Sequence, residues 1–353
     1  MRLLMITRKV DKNDGLAGFT YNWIDRISSK AEKLFVICLE KGNIEGLGKN
    51  VKIFSLRNDK NSNNIVIRKI RDFIIFQKLV LQNIKKVDGV FCHMNPEYTI
   101  AVYPLAKIFN KKIVSWYAHK QITLRLKLME KITDRILTPS KKSFRLFSKK
   151  VIITGHGIDI EKFKPKQENS KEKFVIISVG RISPTKDLET LVKAVDIAVN
   201  DFQAKNIVVK IIGAPGLKNH QSYYNALLKM VKAMNLSEHI KFYGEIANKD
   251  IPLMLAESDL FINLSNTGSV DKAVLEAMSC GVFVLTSNEA FIGILDEKQI
   301  IKQNDFKTLA KKIIEVKGQD FNKKKILKDR MRKMVKENHN INNLIEKVAE
   351  QFN

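Results

Sequence analysis

The chain has 353 residues, of which 44% are hydrophobic and 28% charged, the balance of an ordinary globular protein of about two domains. No apolar run reaches the ~18 residues that a membrane-spanning helix needs, and the opening MRLLMIT lacks the pattern of a signal peptide. The three scattered cysteines favour a reducing cytoplasm and argue against a disulfide framework or a zinc site; they are Cys38, Cys92 and Cys280.

The most unusual property of the composition is a net charge of +25. One interpretation is compositional, since the chain is rich in Lys, Ile and Asn, as proteins of AT-rich genomes are. The other is functional, since so large a charge favours an anionic membrane surface or a polyanion as a partner. Nucleic acid is disfavoured, because there is no helix-turn-helix, zinc-finger, cold-shock or RNA-recognition pattern and only 8% of the residues are aromatic.

Short apolar runs alternate with stretches of helical period along the chain. Seven candidate strands come first: RLLMIT, KLFVICL, VKIFSL, GVFCHM, KKIVSWYA, RILTPS and KVIITG. Five more follow a polar segment: KFVIISVG, IVVKIIGA, IKFYG, DLFINLS and GVFVLTS. Strands that alternate with helices predict parallel sheets in an α/β fold.

The polar segment, KFKPKQENSKEKF at 162–174, is the best candidate for a linker. We therefore predict two doubly wound, Rossmann-like domains, residues 1–163 and 164–339, facing across a cleft. The final helix, 340–353, is expected to pack back on the first domain. Ligands of open parallel sheets bind beyond the carboxyl ends of the strands, so the loops that follow strands are the places to look for chemistry.

One predicted helix, residues 67–86 (IRKIRDFIIFQKLVLQNIKK), combines an apolar side with many cations. The apolar side holds five residues: Ile70, Phe73, Ile74, Leu81 and Ile84. Either this side packs on the core, as in an ordinary helix, or the helix lies on anionic lipid.

The loop after KFVIISVG carries two cations five residues apart, Arg181 and Lys186, on either side of a Ser-Pro turn. Arginine offers a fork to two phosphate oxygens and lysine supplies a point charge, so the pair can converge on one polyanion. Ordinary solvated surface cations are the alternative.

The segment SNTGSVDKAVLEAMSCG predicts a loop and then a short helix that begins near Ser269 to Asp271. The free backbone N–H groups of a helix start favour anions. Glu276 lies a turn and a half into this apolar helix, and its side chain leans back towards the helix start, where it could accept from two sugar hydroxyls. The alternative is a partly exposed glutamate in an ion pair.

Two further loops follow strands in the first half. His119 comes directly after an apolar run in VSWYAHK and could donate to a substrate oxygen or act as a base, unless it is structural. The stretch DGLAGF, with Gly15 and Gly18, would let the backbone approach a ligand closely, although a flexible loop explains it as well. His93 also ends a strand and could line the cleft, whereas His156 in GHGID is expected to organise the turn between the domains.

Together these motifs resemble the retaining, nucleotide-sugar-dependent glycosyltransferases of family 4, or group 1, which have the GT-B fold. The resemblance covers nearly the whole chain. It is carried by GHGIDIEKFKP, SVGRISPTKDLETLVKA, IIGAPG, IKFYGEIANKDIPLMLAESDLFINLS and VLEAMSCGVFVLTS, with WYAH and ILTPS in the first half. It implies that the first domain binds the acceptor and the second the nucleotide-sugar donor. No DxD string occurs, so no divalent metal and no other cofactor is expected.

The resemblance also assigns roles to residues. Arg181 and Lys186 would neutralise the donor diphosphate, and Glu276 would accept from the ribose hydroxyls. The backbone near Ile246 would bind the edge of the base, and His119 would touch the transferred sugar.

Two glycines are assigned to close approaches by the same resemblance: Gly18 to the phosphates and Gly213 to the end of a strand at the cleft. One departure from the family matters, because a second glutamate usually stands eight residues before Glu276, where this chain has Gly268. That glutamate helps to hold the transferred sugar, so its absence puts the identity of the donor sugar in doubt.

The loop offers other groups in its place. Asp271 and the backbone N–H groups of Ser269 to Lys272 are expected to hold the donor sugar, with Lys272 beside its phosphate. The alternative for Asp271 is a helix cap or first-turn acid, which the helix dipole favours.

The predicted function is a cytoplasmic retaining hexosyltransferase that moves a sugar from a UDP-sugar or a similar donor to a hydroxyl of a glycan or lipid-linked acceptor. Cell-surface polysaccharide, lipopolysaccharide or glycolipid synthesis is the expected setting, with peripheral attachment to the inner face of the membrane as one interpretation of the charge. A phosphorylase or epimerase of the same fold, and a non-catalytic protein that binds membranes or polyanions, are the alternatives.

Overall fold

The computed structural model describes residues 1–14, 18–57, 65–166 and 172–352. Part of the predicted glycine loop, including Gly15, and the middle of the predicted linker lie outside the described residues. Elsewhere strands and helices alternate along the chain, as the sequence predicts.

Seven strands in the first half of the chain form one parallel sheet. They are β1 (Arg2–Val10), β2 (Lys33–Lys41), β3 (Val51–Ser55), β4 (Gly89–His93), β5 (Lys112–Trp116), β6 (Arg135–Thr138) and β7 (Val151–Ile153). Their order in the sheet is β3-β2-β1-β4-β5-β6-β7, and every neighbouring pair is parallel. The chain therefore builds outward in both directions from β1 and β4, which makes the sheet doubly wound.

Five strands in the second half form another parallel sheet. They are β8 (Phe174–Val179), β9 (Ile207–Ile212), β10 (Ile240–Gly244), β11 (Leu260–Asn263) and β12 (Phe283–Thr286), in the order β10-β9-β8-β11-β12. All five, like the seven of the first sheet, were predicted from the sequence. The predicted class of two parallel-sheet α/β domains is confirmed.

Eleven α-helices connect or follow the strands within the described residues. They are α1 (Gly18–Ser28), α2 (Ile65–Ile84), α3 (Pro96–Ile108), α4 (Leu124–Ile132), α5 (Leu188–Asp196), α6 (Gln221–Ala233), α7 (Ile251–Ala256), α8 (Lys272–Ser279), α9 (Phe306–Gly318), α10 (Phe321–Asn338) and α11 (Ile341–Glu350).

The first sheet is covered by apolar side chains on both faces. Along β1, Leu3 and Met5 enter one apolar cluster, and Leu4 and Ile6 enter another, each being at most 1% exposed. Successive side chains of a strand point to opposite faces, so both faces are buried. This is why the strand is a continuous apolar run with no alternation of polar residues.

The chain divides into two compact units. The first unit contains 1–157, 247–249 and 339–353, and the second contains 158–246 and 250–338. The division falls a few residues before the boundary proposed at residue 163, because Ile158, Ile160 and Phe163 pack in the apolar core of the second unit. Helix α11 buries Ile341, Leu344, Ile345 and Val348 in the first unit, in the cluster that holds α1.

Helix α2 differs from the expectation for an ordinary core-packed helix. Phe76, Val80 and Ile84 are buried in the core of the first unit. Ile84 was expected to share a side with Ile70, Phe73, Ile74 and Leu81, but those four side chains are more than half exposed. In the described part of the chain, no helix combines the length and apolar character required to cross a bilayer.

Candidate functional site

The loops at the carboxyl end of the second sheet are joined by backbone hydrogen bonds. The N–H of Gly180 donates to the carbonyl of Ile212 over 3.0 Å, and the N–H of Gly213 donates to the carbonyl of Gly244 over 2.7 Å. Gly213 has a φ of +135°, and a Cβ there would stand 1.9 Å from the carbonyl oxygen of Gly180. No larger residue fits at 213, so only glycine allows the end of β9 to approach the end of β8 this closely. The exposed Arg181 directly follows Gly180, just beyond that end of β8.

Lys186 ends a short 3₁₀ turn, Pro184–Lys186, and its side chain is held by an acid. Its Nζ lies 2.6 Å from Oδ2 of Asp271, and the Nδ2 of Asn263 donates to the same oxygen over 3.0 Å. The carbonyl of Thr185 accepts the N–H of Asn266 over 3.1 Å, which ties this turn to the loop before α8. The loops after β8 and β11 are thus connected through backbone and through charge.

Helix α8 presents Glu276 in a largely buried position, its side chain 8% exposed. Oε1 of Glu276 lies 3.8 Å from Nζ of Lys272, one turn earlier, as residues four apart on a helix do. Burial raises the pKa of Glu276, and the charges of Lys272 and Lys162 oppose that rise. Burial lowers the pKa of both lysines, and Glu276 opposes that change in turn. The three groups are therefore charge partners in a site shielded from water.

The loop before α8 has a conformation that glycine favours. Gly268 is buried and has a φ of +62°. The carbonyl of Ser269 accepts from Nδ2 of Asn288 over 2.8 Å. The helix begins at Lys272, slightly later than predicted, with Asp271 in the N-cap position. Within the described structure the Asp271 side chain makes no cap hydrogen bond, because its carboxylate is engaged by Lys186 and Asn263.

The remaining predicted residue of the second unit is Ile246, two residues after β10. Its side chain is half-buried against the core of that unit. The second unit thus holds Arg181, Lys186, Gly213, Ile246, Ser269, Asp271, Lys272 and Glu276.

Gly18 and His119 belong to the first unit. Gly18 begins α1 and is buried, and a Cβ there would lie 3.0 Å from the Cβ of Asn248. His119 follows β5, is exposed, and packs its ring edge-on against Tyr117 with 5.5 Å between ring centroids.

Two other histidines have structural surroundings. His93 is 1% exposed, hydrogen-bonds through Nδ1 to Oγ1 of Thr7 over 3.1 Å, and packs its ring against Trp23 and Trp116. The suggestion that it lines an open site was therefore wrong. His156 donates its backbone N–H to Nδ1 of His339 over 3.2 Å. His156 lies one residue before Gly157, where the long first segment of the first unit ends.

Two residues at the site were missed by the sequence interpretation. Asn263 ends β11 and binds Asp271; a polar residue that interrupts the apolar run DLFINLS was the signal for it. Lys162 interacts with Glu276 through charge, and nothing in its sequence context distinguished it from the many other lysines of the chain.

Known proteins resemble this chain in sequence and in fold. Residues 159–345 match the profile of the family described as Glycosyl transferases group 1. An uncharacterized glycosyltransferase of Methanocaldococcus jannaschii is 26% identical over 69% of this chain and 63% of its own length. The UDP-Gal:alpha-D-GlcNAc-diphosphoundecaprenol alpha-1,3-galactosyltransferase of Escherichia coli is 30% identical over 39% of this chain and 37% of its own length. The chain thus spans less than two thirds of these curated relatives.

Solved structures match over almost the whole chain. Anabaena HepE, crystallised with UDP and glucose, aligns with a TM-score of 0.78 at 16% identity over 99% of each chain. The sucrose-phosphate synthase of Thermosynechococcus elongatus aligns with a TM-score of 0.78 at 12% identity over 100% of this chain and 98% of its own. The two doubly wound parallel sheets match the GT-B fold of glycosyltransferases. Since the family profile covers more than half of the residues, the chain belongs to the group 1 glycosyl transferases.

Proposed function

We propose that this protein transfers a sugar from a nucleotide-diphospho-sugar to a hydroxyl of a glycan or lipid-linked acceptor, with retention of anomeric configuration. The proposal is supported by the family, by the UDP that HepE binds, and by the galactosyltransferase relative, whose name gives a UDP-sugar donor and a diphosphoundecaprenol-linked acceptor.

The observation that carries the proposal is the row of charges at the carboxyl end of the second sheet. Lys186 pairs with Asp271, and Lys272 pairs with Glu276 one turn into the same helix. A diphosphate that binds Lys186 competes with Asp271 for that cation, while Arg181 offers a second cation at the start of the same loop. Charge-assisted hydrogen bonds of this kind are stronger than neutral ones, and shielding from water strengthens them further.

Glu276 is assigned to the ribose hydroxyls of the donor. A carboxylate accepts two hydrogen bonds at once, which suits a pair of adjacent hydroxyls. Burial raises the pKa of Glu276, and the charges of Lys272 and Lys162 oppose that rise. The backbone at Ile246 is assigned to the base, and Gly18 and Gly213 to close backbone approaches. His119, Ser269, Asp271 and Lys272 are assigned to the transferred sugar and its phosphate.

In the proposed reaction the bond from the anomeric carbon to the diphosphate oxygen breaks, and its electron pair leaves with the nucleoside diphosphate. The acceptor oxygen bonds to the same face of the sugar, and its proton passes to the leaving diphosphate. The transition state resembles an oxocarbenium ion. Arg181, Lys186 and the N–H groups at the start of α8 stabilise the negative charge that develops on the leaving group.

We propose that this chemistry needs no divalent metal, since Arg181 and Lys186 supply positive charge at the diphosphate. The setting is the cytoplasmic side of the membrane, in cell-surface polysaccharide or glycolipid synthesis.

The test is release of nucleoside diphosphate from candidate donors, measured with and without a lipid-linked sugar acceptor, in buffer containing EDTA. Transfer predicts release that depends on the acceptor and survives the chelator. Release that needs inorganic phosphate would favour a phosphorylase. Loss of turnover in EDTA with recovery on adding magnesium would contradict the metal-independent part of the proposal.

A further inference from the structure

Helix α2 carries an exposed apolar stripe, here called the α2 face. It consists of six side chains, each 52–64% exposed: Val66, Ile67, Ile70, Phe73, Ile74 and Leu81. At 100° per residue, these positions fall within about a third of the helix circumference. The adjoining side of the helix is fixed by Phe76 and Val80, which are at most 5% exposed in the core of the first unit. The orientation of α2 is therefore set by packing, and the α2 face lies beside that core contact and is left exposed.

The charges around the α2 face are positive. Four basic residues lie in the helix and two follow it directly: Arg68, Lys69, Arg71, Lys78, Lys85 and Lys86. The one acid of the helix, Asp72, is 7% exposed and paired with Arg57 and Arg71. It therefore contributes little negative charge to the surface.

The neighbouring helices extend the positive charge. Helix α2 packs beside α3, and α3 beside α4. The three helices contain eight lysines and arginines against three carboxylates. The two carboxylates outside α2 are engaged, Glu97 with Arg125 over 2.6 Å and Glu130 with the hydroxyl of Ser148 over 2.8 Å. This layer of helices is thus cationic as a whole.

We propose that the α2 face docks on an anionic lipid bilayer. A stripe of Ile, Leu and Phe with lysines and arginines beside it suits the boundary between acyl chains and acidic headgroups. The apolar side chains enter the acyl region, and the long cationic side chains reach back to the phosphates.

A second copy of the chain is a poorer occupant of the α2 face. Two such faces in contact would bring the lysines and arginines of one helix close to those of the other, and like charges repel. An anionic bilayer satisfies both the apolar side chains and the charges. The inference deepens the proposed function, and it rests on that function only in one respect, that a lipid-linked acceptor is reached at the surface on which α2 docks.

The experiment is co-sedimentation of the full chain with vesicles of phosphatidylcholine alone and with vesicles that also contain phosphatidylglycerol. Binding is expected to need the anionic lipid and to fall as sodium chloride is raised. The double variant Phe73→Ser/Ile74→Ser should weaken binding to anionic vesicles by at least about tenfold, because two large apolar side chains are lost from the membrane contact. Lys69→Gln/Lys78→Gln should weaken it and flatten its dependence on salt.

Ile326→Ser is the matched control, since Ile326 is 68% exposed on α10 in the second unit, and it should leave vesicle binding unchanged. Circular dichroism and a nucleoside diphosphate titration check that each variant is folded. Equal sedimentation with neutral vesicles, or none with either kind, overturns the proposal. A dimer in analytical ultracentrifugation without lipid that Phe73→Ser/Ile74→Ser abolishes would also overturn it, in favour of a second copy. Vesicle binding by a protein that binds no nucleotide would leave this inference standing and remove the proposed function.

Discussion

At the scale of single residues, Lys186 is the more closely held of the two cations that we assign to the diphosphate. Its ammonium group is 2.6 Å from Asp271, with Asn263 on the same carboxylate oxygen, so the cation is oriented before any ligand binds. Orientation in advance lowers the entropy that binding must overcome.

We predict that Lys186→Ala and Arg181→Ala each slow sugar transfer by about tenfold to a hundredfold, because each removes charge-assisted hydrogen bonds to the leaving diphosphate. Steady-state rates measure the effect. Lys229→Ala, an exposed lysine on α6, is the control and should be neutral. Unchanged rates in both site variants would contradict the assignment of these residues to the diphosphate.

Glu276 is predicted to be required for nucleotide binding. Glu276→Ala should abolish most of the affinity for a nucleoside diphosphate, and Glu276→Gln should lower it by at least about tenfold, since an amide offers only one acceptor oxygen to the ribose hydroxyls. Calorimetric titration measures the affinity, and circular dichroism establishes that both variants are folded. Affinities equal to that of the unaltered chain would assign Glu276 to a structural ion pair with Lys272.

A variant of Asp271 distinguishes binding of the donor sugar from binding of the nucleotide. Asp271→Asn keeps the size of the side chain and removes its charge, so Lys186 is freed for the diphosphate while the proposed acceptor for sugar hydroxyls is weakened. Transfer should therefore fall far more than affinity for the bare nucleoside diphosphate. Comparison of kcat with the dissociation constant of the diphosphate decides the matter. A variant that loses both equally, or neither, would restrict Asp271 to holding Lys186 in place.

At the scale of elements, the strand ends of the second sheet depend on one glycine. The φ of +135° and the 1.9 Å approach to the Gly180 carbonyl make Gly213→Ala both strained and sterically blocked. We expect a loss of roughly 2 kcal/mol or more in the free energy of unfolding, together with weaker diphosphate binding as the Arg181 loop shifts.

Gly244→Ala is the matched control for Gly213→Ala. Gly244 also has a positive φ, of +69°, but nothing lies within 4 Å of the added Cβ. Gly244→Ala should lower the free energy of unfolding only by the backbone strain, about 1 kcal/mol. Denaturant titration of both variants gives the comparison. Equal losses in the free energy of unfolding would contradict the expectation that the close approach of residue 213 to the Gly180 carbonyl is destabilising.

The elements were predictable where one local pattern decides them. The twelve strands are apolar runs bounded by turn residues, and burial on both faces of parallel sheets preserves that pattern. The start of α8 was placed slightly too early, near Ser269 to Asp271, whereas the helix begins at Lys272 with Asp271 in the N-cap position. The carboxylate of Asp271 binds Lys186, 85 positions earlier in the chain, and no local pattern shows that contact. The exposure of the α2 face was not predictable, since helical period shows which residues share a side and does not show which side is covered.

The candidate site divides in the same way, into residues that a local motif indicates and contacts that only the folded chain creates. Arg181, Lys186 and Glu276 could be proposed from the sequence because each stands after a strand or in a short helix with a recognisable motif. The pairing of Lys186 with Asp271 and the charge partnership of Lys162 with Glu276 depend on tertiary contacts that no local pattern records.

At the scale of the whole molecule, the structure carries a dependence on pH. Burial lowers the pKa of His339 from 6.5 to about 4, so the folded protein holds the neutral ring, whose Nδ1 accepts the backbone N–H of His156. The unfolded chain takes up the proton first as pH falls. The stability that this ring contributes is therefore complete above pH 6.5 and is lost progressively towards pH 4.

We predict that the free energy of unfolding contributed by the neutral His339 ring falls by about 3 kcal/mol over this pH range, at about 1.4 kcal/mol for each pKa unit. His339→Asn, which retains an acceptor near the position of Nδ1 and cannot be protonated in this range, should show a flatter dependence. Urea unfolding of both proteins between these pH values gives the difference. Parallel stability curves would contradict the neutral, buried state of His339.

We propose above all that the second unit binds a sugar nucleotide through four residues: Lys186, Asp271, Lys272 and Glu276. The most direct measurement is calorimetric titration of the full chain, in EDTA, with UDP, GDP, ADP, TDP and CMP and their sugar conjugates. We predict saturable binding of one nucleotide class at one site per chain, weakened by Lys186→Ala and abolished by Glu276→Ala. Binding of none of these nucleotides, or binding that both variants leave unchanged, would contradict the assignment of these residues to a sugar nucleotide.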